Sequence, residues 1–331
     1  MEVIHGLDNA KREPYGAVTV GSFDGLHLGH QRILRMMRRS GLHPITVMTF
    51  EPHPQVILRS GQPPPPQLTS FDERAALFKK HGVDRLVVVR FTREFAVLNP
   101  EEFVRDVLVG AIGLKGIYIG PKHGFGAGRR GDAELLRKMG WDYSFKVVVV
   151  PPVERDGGPI SSSRIRKCLL AGGTEPAMLF LGRPFYVDGV VIRGDRRGMS
   201  MGFPTANLSV SDRQKLTPRS GIYTTVTEVD GQRFPSVSHF GERLTFPGAA
   251  PAVETHLIGY DGDLYDRSIR VGLVTRLRDV AAFDSPGELV AQMERDRVKA
   301  KWELKRLGFG KDARLTGRRF GRISSQNNIE I

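Results

Sequence analysis

The sequence predicts an α/β fold in which an N-terminal domain built on a parallel sheet precedes a small antiparallel β-barrel with a terminal helix. Three observations carry this expectation. Strand-like and helix-like runs alternate through the first half of the 331-residue chain, which implies a parallel sheet covered on both faces. Beyond Gly182 the chain turns to short β-branched runs separated by turn signals, a pattern that suits a small barrel. Between the first strand-like run and the first helical pattern stands GSFDGLHLGH (residues 21–30), a small-residue turn with two histidines three apart.

The elements follow in order. Ala17–Val20 reads as the first strand, and Gln31–Ser40 as a helix with Ile33, Leu34 and Met37 on one face and Gly41 to end it. Further strands are expected at Ile45–Phe50, Arg85–Arg90, Gly116–Ile119 and Lys146–Val150. Ser70-Phe-Asp-Glu73 is a capping box, and Asn99-Pro100-Glu101-Glu102 sets an N-cap, a first-turn proline and two acids in order. Pro63–Pro66 forms a stiff surface connection. In the second half, strands are expected at Val187–Ile192, Ile222–Val229, Ala252–Ile258 and Ser268–Val274, with Asp230-Gly231 and Asp261-Gly262 as two-residue hairpin turns. Ser285-Pro-Gly-Glu288 opens a last helix that carries Leu289 and Met293 on one face. The boundary falls between Gly172 and Arg183, giving domains 1–178 and 179–306 and a basic tail 307–331.

Composition narrows the class of protein. Hydrophobic residues make up 40% of the chain, enough for two cores. No run of eighteen apolar residues exists and the N-terminus lacks a signal-peptide pattern, so a soluble cytoplasmic protein without membrane contact is expected. The single cysteine, Cys168, excludes an intrachain disulfide and a multi-cysteine zinc site. The net charge is +13, and between Lys299 and Arg322 nine basic residues face two acids. Such a tail could touch nucleic acid through phosphates, or be a solvated helix end. The remaining positive excess fits an enzyme with polyanionic ligands.

The turn 21–30 carries the chemistry of the first half. Unpaired N–H groups at a helix start and the positive end of the helix dipole attract phosphate oxygens, and glycines allow close backbone approach. His27 and His30 could then donate hydrogen bonds to charge that develops on a phosphate under substitution. The competing structural role has one histidine capping the helix and the other packing. Taken alone, ISSSRIR (160–166) reads equally well as a Ser-capped basic helix, and Glu254 as the solvent-facing position of an alternating strand.

Seven motifs occur together: VGSFDGLHLGH (20–30), TFEPHP (49–54), ISSSRIR (160–166), LGRPFYVDGVV (181–191), GFPTANL (202–208), VETHL (253–257) and DLY (263–265). In this order and spacing the chain resembles the bacterial bifunctional riboflavin kinase/FAD synthetase family over roughly residues 15–300. The resemblance implies a Rossmann-like nucleotidyltransferase domain that joins FMN to AMP from ATP with release of pyrophosphate. It also implies a barrel domain that phosphorylates riboflavin from ATP with Mg2+. By that resemblance His27 and His30 hold the ATP phosphates, and Gly21, Phe23, Asp24, Gly25 and Gly29 shape the turn around them. Ser161, Ser162, Ser163, Arg164 and Arg166 would meet the leaving pyrophosphate. In the kinase half, Thr205 and Asn207 would hold the metal, Gly202 and Pro204 fix the backbone beside them, and Gly194 and Gly198 form a flap. Glu254 would be the general base toward the ribityl 5′-hydroxyl.

The chain departs from the family in two places. Lys122 and His123 stand in Gly120–Gly126 where the family shows an aspartate and an aromatic, and Ser238-His239-Phe240-Gly241 with Leu244 replaces an Asn-Ile-Gly turn and a later proline. Three other readings remain open from the residues alone: a kinase with an altered adenylyltransferase half, a flavin- or RNA-binding regulator, and a nucleotidyltransferase for another phosphorylated acceptor such as pantetheine phosphate.

Overall fold

The computed structural model describes residues 1–309 apart from 60, 62, 195–200, 211, 213 and 242–251. Compactness divides the chain into Met1–Ser162 and Ser163–Ile331. The division falls N-terminal of the expected 178/179 because two helices join the barrel. Of these, α7 (Ser162–Leu170) offers the Leu169 carbonyl to Arg219 N, and Glu175 on α8 (Thr174–Leu181) accepts from Thr275.

The first unit holds a six-stranded parallel sheet in the order β1-β4-β3-β2-β5-β6. Its strands are β1 (Glu2–His5), β2 (Ala17–Val20), β3 (Ile45–Glu51), β4 (Arg85–Arg90), β5 (Gly116–Ile119) and β6 (Lys146–Val149), followed by a two-stranded ribbon of β7 (Glu154–Arg155) and β8 (Gly158–Pro159). The α-helices of the unit are α1 (Leu28–Arg39), α2 (Pro54–Leu58), α3 (Phe71–Lys80), α4 (Arg93–Ala96), α5 (Pro100–Glu102) and α6 (Ala133–Asp142). Alternation along the strands feeds two cores. Ala17, Ile45, Val47, Leu86 and Val88 face α1 (Leu28–Arg39) and α3 (Phe71–Lys80), whereas Val18, Val20, Val87 and Val89 face the helix over 100–112. That second helix starts with one α turn, Pro100–Glu102, and continues π-helical through Phe103–Ile112. Asn99 caps its start by accepting from Glu101 N at 3.0 Å. The Ser70 capping box forms as expected, with Glu73 N donating to Ser70 Oγ at 3.2 Å and Ser70 N to Glu73 Oε2 at 2.9 Å. Strand β1 carries no sequence signal because this edge strand buries only Ile4.

The second unit is a closed six-stranded barrel in the order β10-β13-β12-β11-β14-β9. Its strands are β9 (Phe185–Ile192), β10 (Ala206–Ser209), β11 (Gly221–Val229), β12 (Gln232–Gly241), β13 (Ala252–Leu257) and β14 (Ser268–Arg278), with α9 (Pro286–Arg306) closing the chain. Asp230 and Gly231, at φ +47° and +77°, make the expected two-residue hairpin between β11 and β12. Asp261-Gly262 does not make one. Strand β13 pairs with β10 and β12 rather than with β14, so residues 258–267 are a long crossover. Strand β12 has no sequence signal because two of its inward positions are Ser236 and Ser238, with only Phe240 fully buried beside them among its apolar residues. Their hydroxyls join Thr225, Thr227 and Thr255 in a closed ring of five hydrogen bonds inside the barrel, so the polar interior is satisfied without apolar alternation. Leu304 and Phe309 pack with Met178, Val226 and Val274, so the hydrophobic core reaches past 306 into the first residues of the expected tail. The rest of that tail lies outside the described residues.

Candidate active sites

In the first unit the chain runs from β2 through β3 to β4 on one side and returns to β5 on the other, which makes β2 the switch point of the sheet. The turn 21–27 therefore sits in the crevice where such sheets receive ligands. Phe23, Gly25 and Leu26 all adopt positive φ, at +50°, +79° and +36°, a conformation that persists only when neighbours over-determine it. The buried Asp24 carboxylate accepts from Leu68 N at 2.9 Å, Thr69 N at 3.0 Å and Thr69 Oγ1 at 3.1 Å, and Gly25 N donates to Thr69 Oγ1 at 3.0 Å. Gly21 N donates to Met48 O at 3.0 Å. Arg74, 1% exposed, donates to Ser22 O at 3.2 Å and pairs with Glu51. Thr69 and Arg74 were not singled out from sequence. Their only signal is that they flank the Ser70 capping box.

The two histidines are stacked, ring centroids 3.6 Å apart and 19° from parallel. His27 is the N-cap of α1, where its Nδ1 accepts from His30 N at 3.4 Å. That bond leaves the ring proton on Nε2, so His27 both caps and keeps a donor at the helix start. Burial, and then the neighbouring His27, hold the His30 pKa well below its ordinary value, so His30 is neutral and acts by hydrogen bonding rather than by charge. Its Nδ1 is buried without a hydrogen-bond partner in the described structure. Gly29 has a specific reason to be glycine. A Cβ there would stand 3.0 Å from His27 Cε1 and 3.1 Å from Nδ1, so the absent side chain makes room for the ring.

ISSSRIR opens α7 at Ser162. The Ser162 hydroxyl donates to Asp24 O at 2.8 Å, so its proton braces the turn rather than being available to pyrophosphate. Ser161 precedes the helix, Ser163 is exposed, and Arg166 is partly buried. Within the second unit the Arg164 guanidinium lies 4.7 Å over the Phe180 ring. In the departing loop Lys122 is exposed and its carbonyl accepts from Arg129 at 3.0 Å. His123 stacks toward Phe125 with centroids 6.0 Å apart. Burial and then the Arg129 charge push its pKa down to about 4. It is therefore a neutral ring in a row of aromatics that continues through Phe103 and Phe95.

The second site lies on the outer wall of the barrel. Asn207 stands directly opposite Glu254 across β10 and β13. Their neighbours Ala206, Leu208, Val253 and Thr255 are buried inward, so both polar side chains face out on the same surface. Thr205 precedes β10 and is partly exposed. Gly202 holds φ +78°, and Pro204 O takes the ring nitrogen of His256 at 2.9 Å. A Cβ on Gly194 would stand 2.2 Å from Asn207 Nδ2, so the backbone at 194 covers the amide closely. Gly198 and Leu244 lie outside the described residues. Among the described residues no cluster of three or more His, Cys, Asp or Glu could hold a metal. Thr205 and Asn207 instead offer neutral oxygens, the donor type that Mg2+ accepts when phosphates complete its shell.

Known proteins match along nearly the whole chain. The FAD synthetase family matches residues 9–164 and the riboflavin kinase family residues 181–304. The bifunctional riboflavin kinase/FMN adenylyltransferase of Escherichia coli K12 is 36% identical, with 91% of this chain and 97% of that protein covered. The protein of the same description from Pseudomonas fluorescens is 34% identical at the same coverage. A solved structure described as a macrolide-efflux protein from Streptococcus pneumoniae superposes with a TM-score of 0.84 at 31% identity, covering 91% of this chain and 99% of that one. No helix among the described residues is long and apolar enough to cross a membrane.

Proposed function

We infer the residue roles from the premise those matches supply: this chain belongs to the bacterial bifunctional riboflavin kinase/FMN adenylyltransferase family. It phosphorylates riboflavin to FMN and adenylylates FMN to FAD, using ATP in both reactions.

For adenylylation, the turn 21–27 and the first amides of α1 receive the ATP phosphates. An FMN phosphate oxygen attacks the α-phosphorus and the bond to the β-phosphate oxygen breaks. The Nε2–H of His27 and the neutral ring of His30 donate hydrogen bonds to the charge that builds up, which needs no proton transfer. Gly21, Phe23, Asp24, Gly25 and Gly29 hold that shape. The amides opening α7, the hydroxyls of Ser161 and Ser163, and the cations Arg164 and Arg166 take the leaving pyrophosphate. The neutral His123 keeps the aromatic row intact, which favours a working FAD-forming half despite the Lys122 departure.

For the kinase, Glu254 takes the proton of the ribityl 5′-hydroxyl as its oxygen bonds to the γ-phosphorus and ADP leaves. Thr205 and Asn207 would hold Mg2+ arriving with ATP, and that ion supplies charge neutralisation on the phosphates. Gly202 and Pro204 fix their approach, and Gly194 lets the backbone lie close over the Asn207 amide. We place the reactions in the cytoplasm, where ATP is available and a lone cysteine stays reduced.

The observation that carries the kinase assignment is the direct pairing of Asn207 with Glu254 across adjacent strands. The test is incubation of the protein with riboflavin, ATP and Mg2+ and chromatographic separation of products. Wild type should give FMN and then FAD. Glu254→Gln should give neither from riboflavin, while still making FAD from supplied FMN. Undiminished FMN formation by Glu254→Gln would refute the assignment.

A further inference from the structure

The register that sets Asn207 beside Glu254 sets a third polar residue on the other side of it. His239 on β12 stands directly opposite Glu254 on β13. Its neighbours Ser238 and Phe240 point inward and are fully buried, so His239 faces out on the same wall. The three strands β10, β13 and β12 thus carry Asn207, Glu254 and His239 in one row, directly opposed Cβ atoms on a sheet being about 4.5–5.5 Å apart, though no hydrogen bond joins His239 to Glu254 in this structure. On its other flank the strand partner of His239 is Ile222 of β11, beyond which comes Arg278 of β14, paired to Asp296 of α9. Glu254 is therefore the one carboxylate directly opposite His239 among its described strand partners.

The ring has a built seat. A Cβ on Gly241 would stand 2.9 Å from His239 Nε2, so a glycine two residues along the strand gives the imidazole its place. Burial, outweighing the attraction of Glu254 and joined by the repulsion of Arg278, holds His239 below the usual imidazole range. A neutral imidazole still has one N–H to donate. It can hold a carboxylate in place without forming an ion pair, which would lower the carboxylate's basicity.

We propose that His239 is a positioning residue for phosphoryl transfer to riboflavin. During the transfer its N–H turns onto the Glu254 carboxylate and restrains it so that the free oxygen addresses the substrate hydroxyl. This rests on the reading of Glu254 as the base. The proton still passes from the hydroxyl to Glu254, and His239 gains and loses none.

The test compares His239→Ala, His239→Phe and His239→Asn in steady-state FMN formation. Phe keeps a ring without a donor, and Asn keeps an uncharged N–H donor in a smaller group. Ala and Phe should lower kcat about tenfold while KM for riboflavin and for ATP stays within about twofold, because misaligning the base costs rate and not binding. Asn should stay within about threefold of wild type on the same reasoning. Combined with Glu254→Asp, which keeps a base, His239→Ala should cost clearly less than the roughly tenfold expected in wild type, because the two act as one unit. Wild-type kcat in His239→Phe would overturn the proposal by reducing His239 to packing. A KM effect without a kcat effect would overturn it in favour of substrate binding. Additivity with Glu254→Asp would overturn it while leaving the Glu254 assignment standing, whereas an active Glu254→Gln single variant would overturn both.

Discussion

Replacing Gly29 by alanine should separate stability from catalysis in the adenylyltransferase half. The added Cβ would lie 3.0 Å from His27 Cε1 and 3.1 Å from Nδ1. Carbon atoms in comfortable contact are about 3.5–4.0 Å apart, so the ring must give by about half an ångström or more. It has little room to do so, because His27 is 6% exposed and stacks on His30 at 3.6 Å. The bond from His30 N to Nδ1, already 3.4 Å, is the first to be lost. A lost N-cap costs about 1 kcal/mol, and alanine in place of glycine in a helix returns about 0.8–1 kcal/mol. Thermal unfolding of the variant should therefore match wild type closely. The proposed donors to the α-phosphate, by contrast, would be displaced by a distance that costs up to about 100-fold in rate. The assay is FAD formation from FMN and ATP, with FMN formation from riboflavin as the internal control. The expected result is a fall in adenylylation kcat of about ten- to 100-fold with the kinase rate unchanged. Wild-type adenylylation by a stably folded Gly29→Ala would refute the claim that the stacked imidazoles must be held in register.

Two other outcomes follow from burial. His123 has its folded pKa pushed down to about 4 from the ordinary 6.5, so the unfolded chain binds more protons in that interval. Its contribution is present above pH 6.5 and is lost as pH falls toward 4, by about 1–3 kcal/mol given its partial exposure. The stability difference between His123→Phe and wild type, from urea unfolding, should therefore move in favour of the variant over that interval, and a pH-independent difference would contradict the assignment. Truncation separates the tail from the core. Ending the chain after Phe309 should leave FMN formation intact, whereas ending it after Trp302 removes the buried Leu304 and Phe309 and should destabilise the barrel by more than about 4 kcal/mol, read as a loss of thermal stability in the same assay series.

The sequence by itself determined the parallel sheet, since four of its six strands bury both faces and these, with β6, appear as apolar runs, and it determined the helix starts at Ser70, Asn99 and Ser285, since capping chemistry is local. It also pointed to both candidate sites, because the turn 21–30 and the Thr-x-Asn element are each contiguous in the chain. Tertiary structure decided the rest. The edge strand β1 and the polar-cored β12 lack apolar alternation, and only pairing with distant strands makes them strands at all. That Asp24, Thr69 and Ser162 brace one turn from three separate segments is a fact of folding, as is the commitment of the Ser162 hydroxyl proton to that turn. The row of Asn207, Glu254 and His239 is likewise invisible in one dimension. Register across antiparallel strands depends on barrel closure, and no spacing along the chain encodes which residues that closure brings face to face.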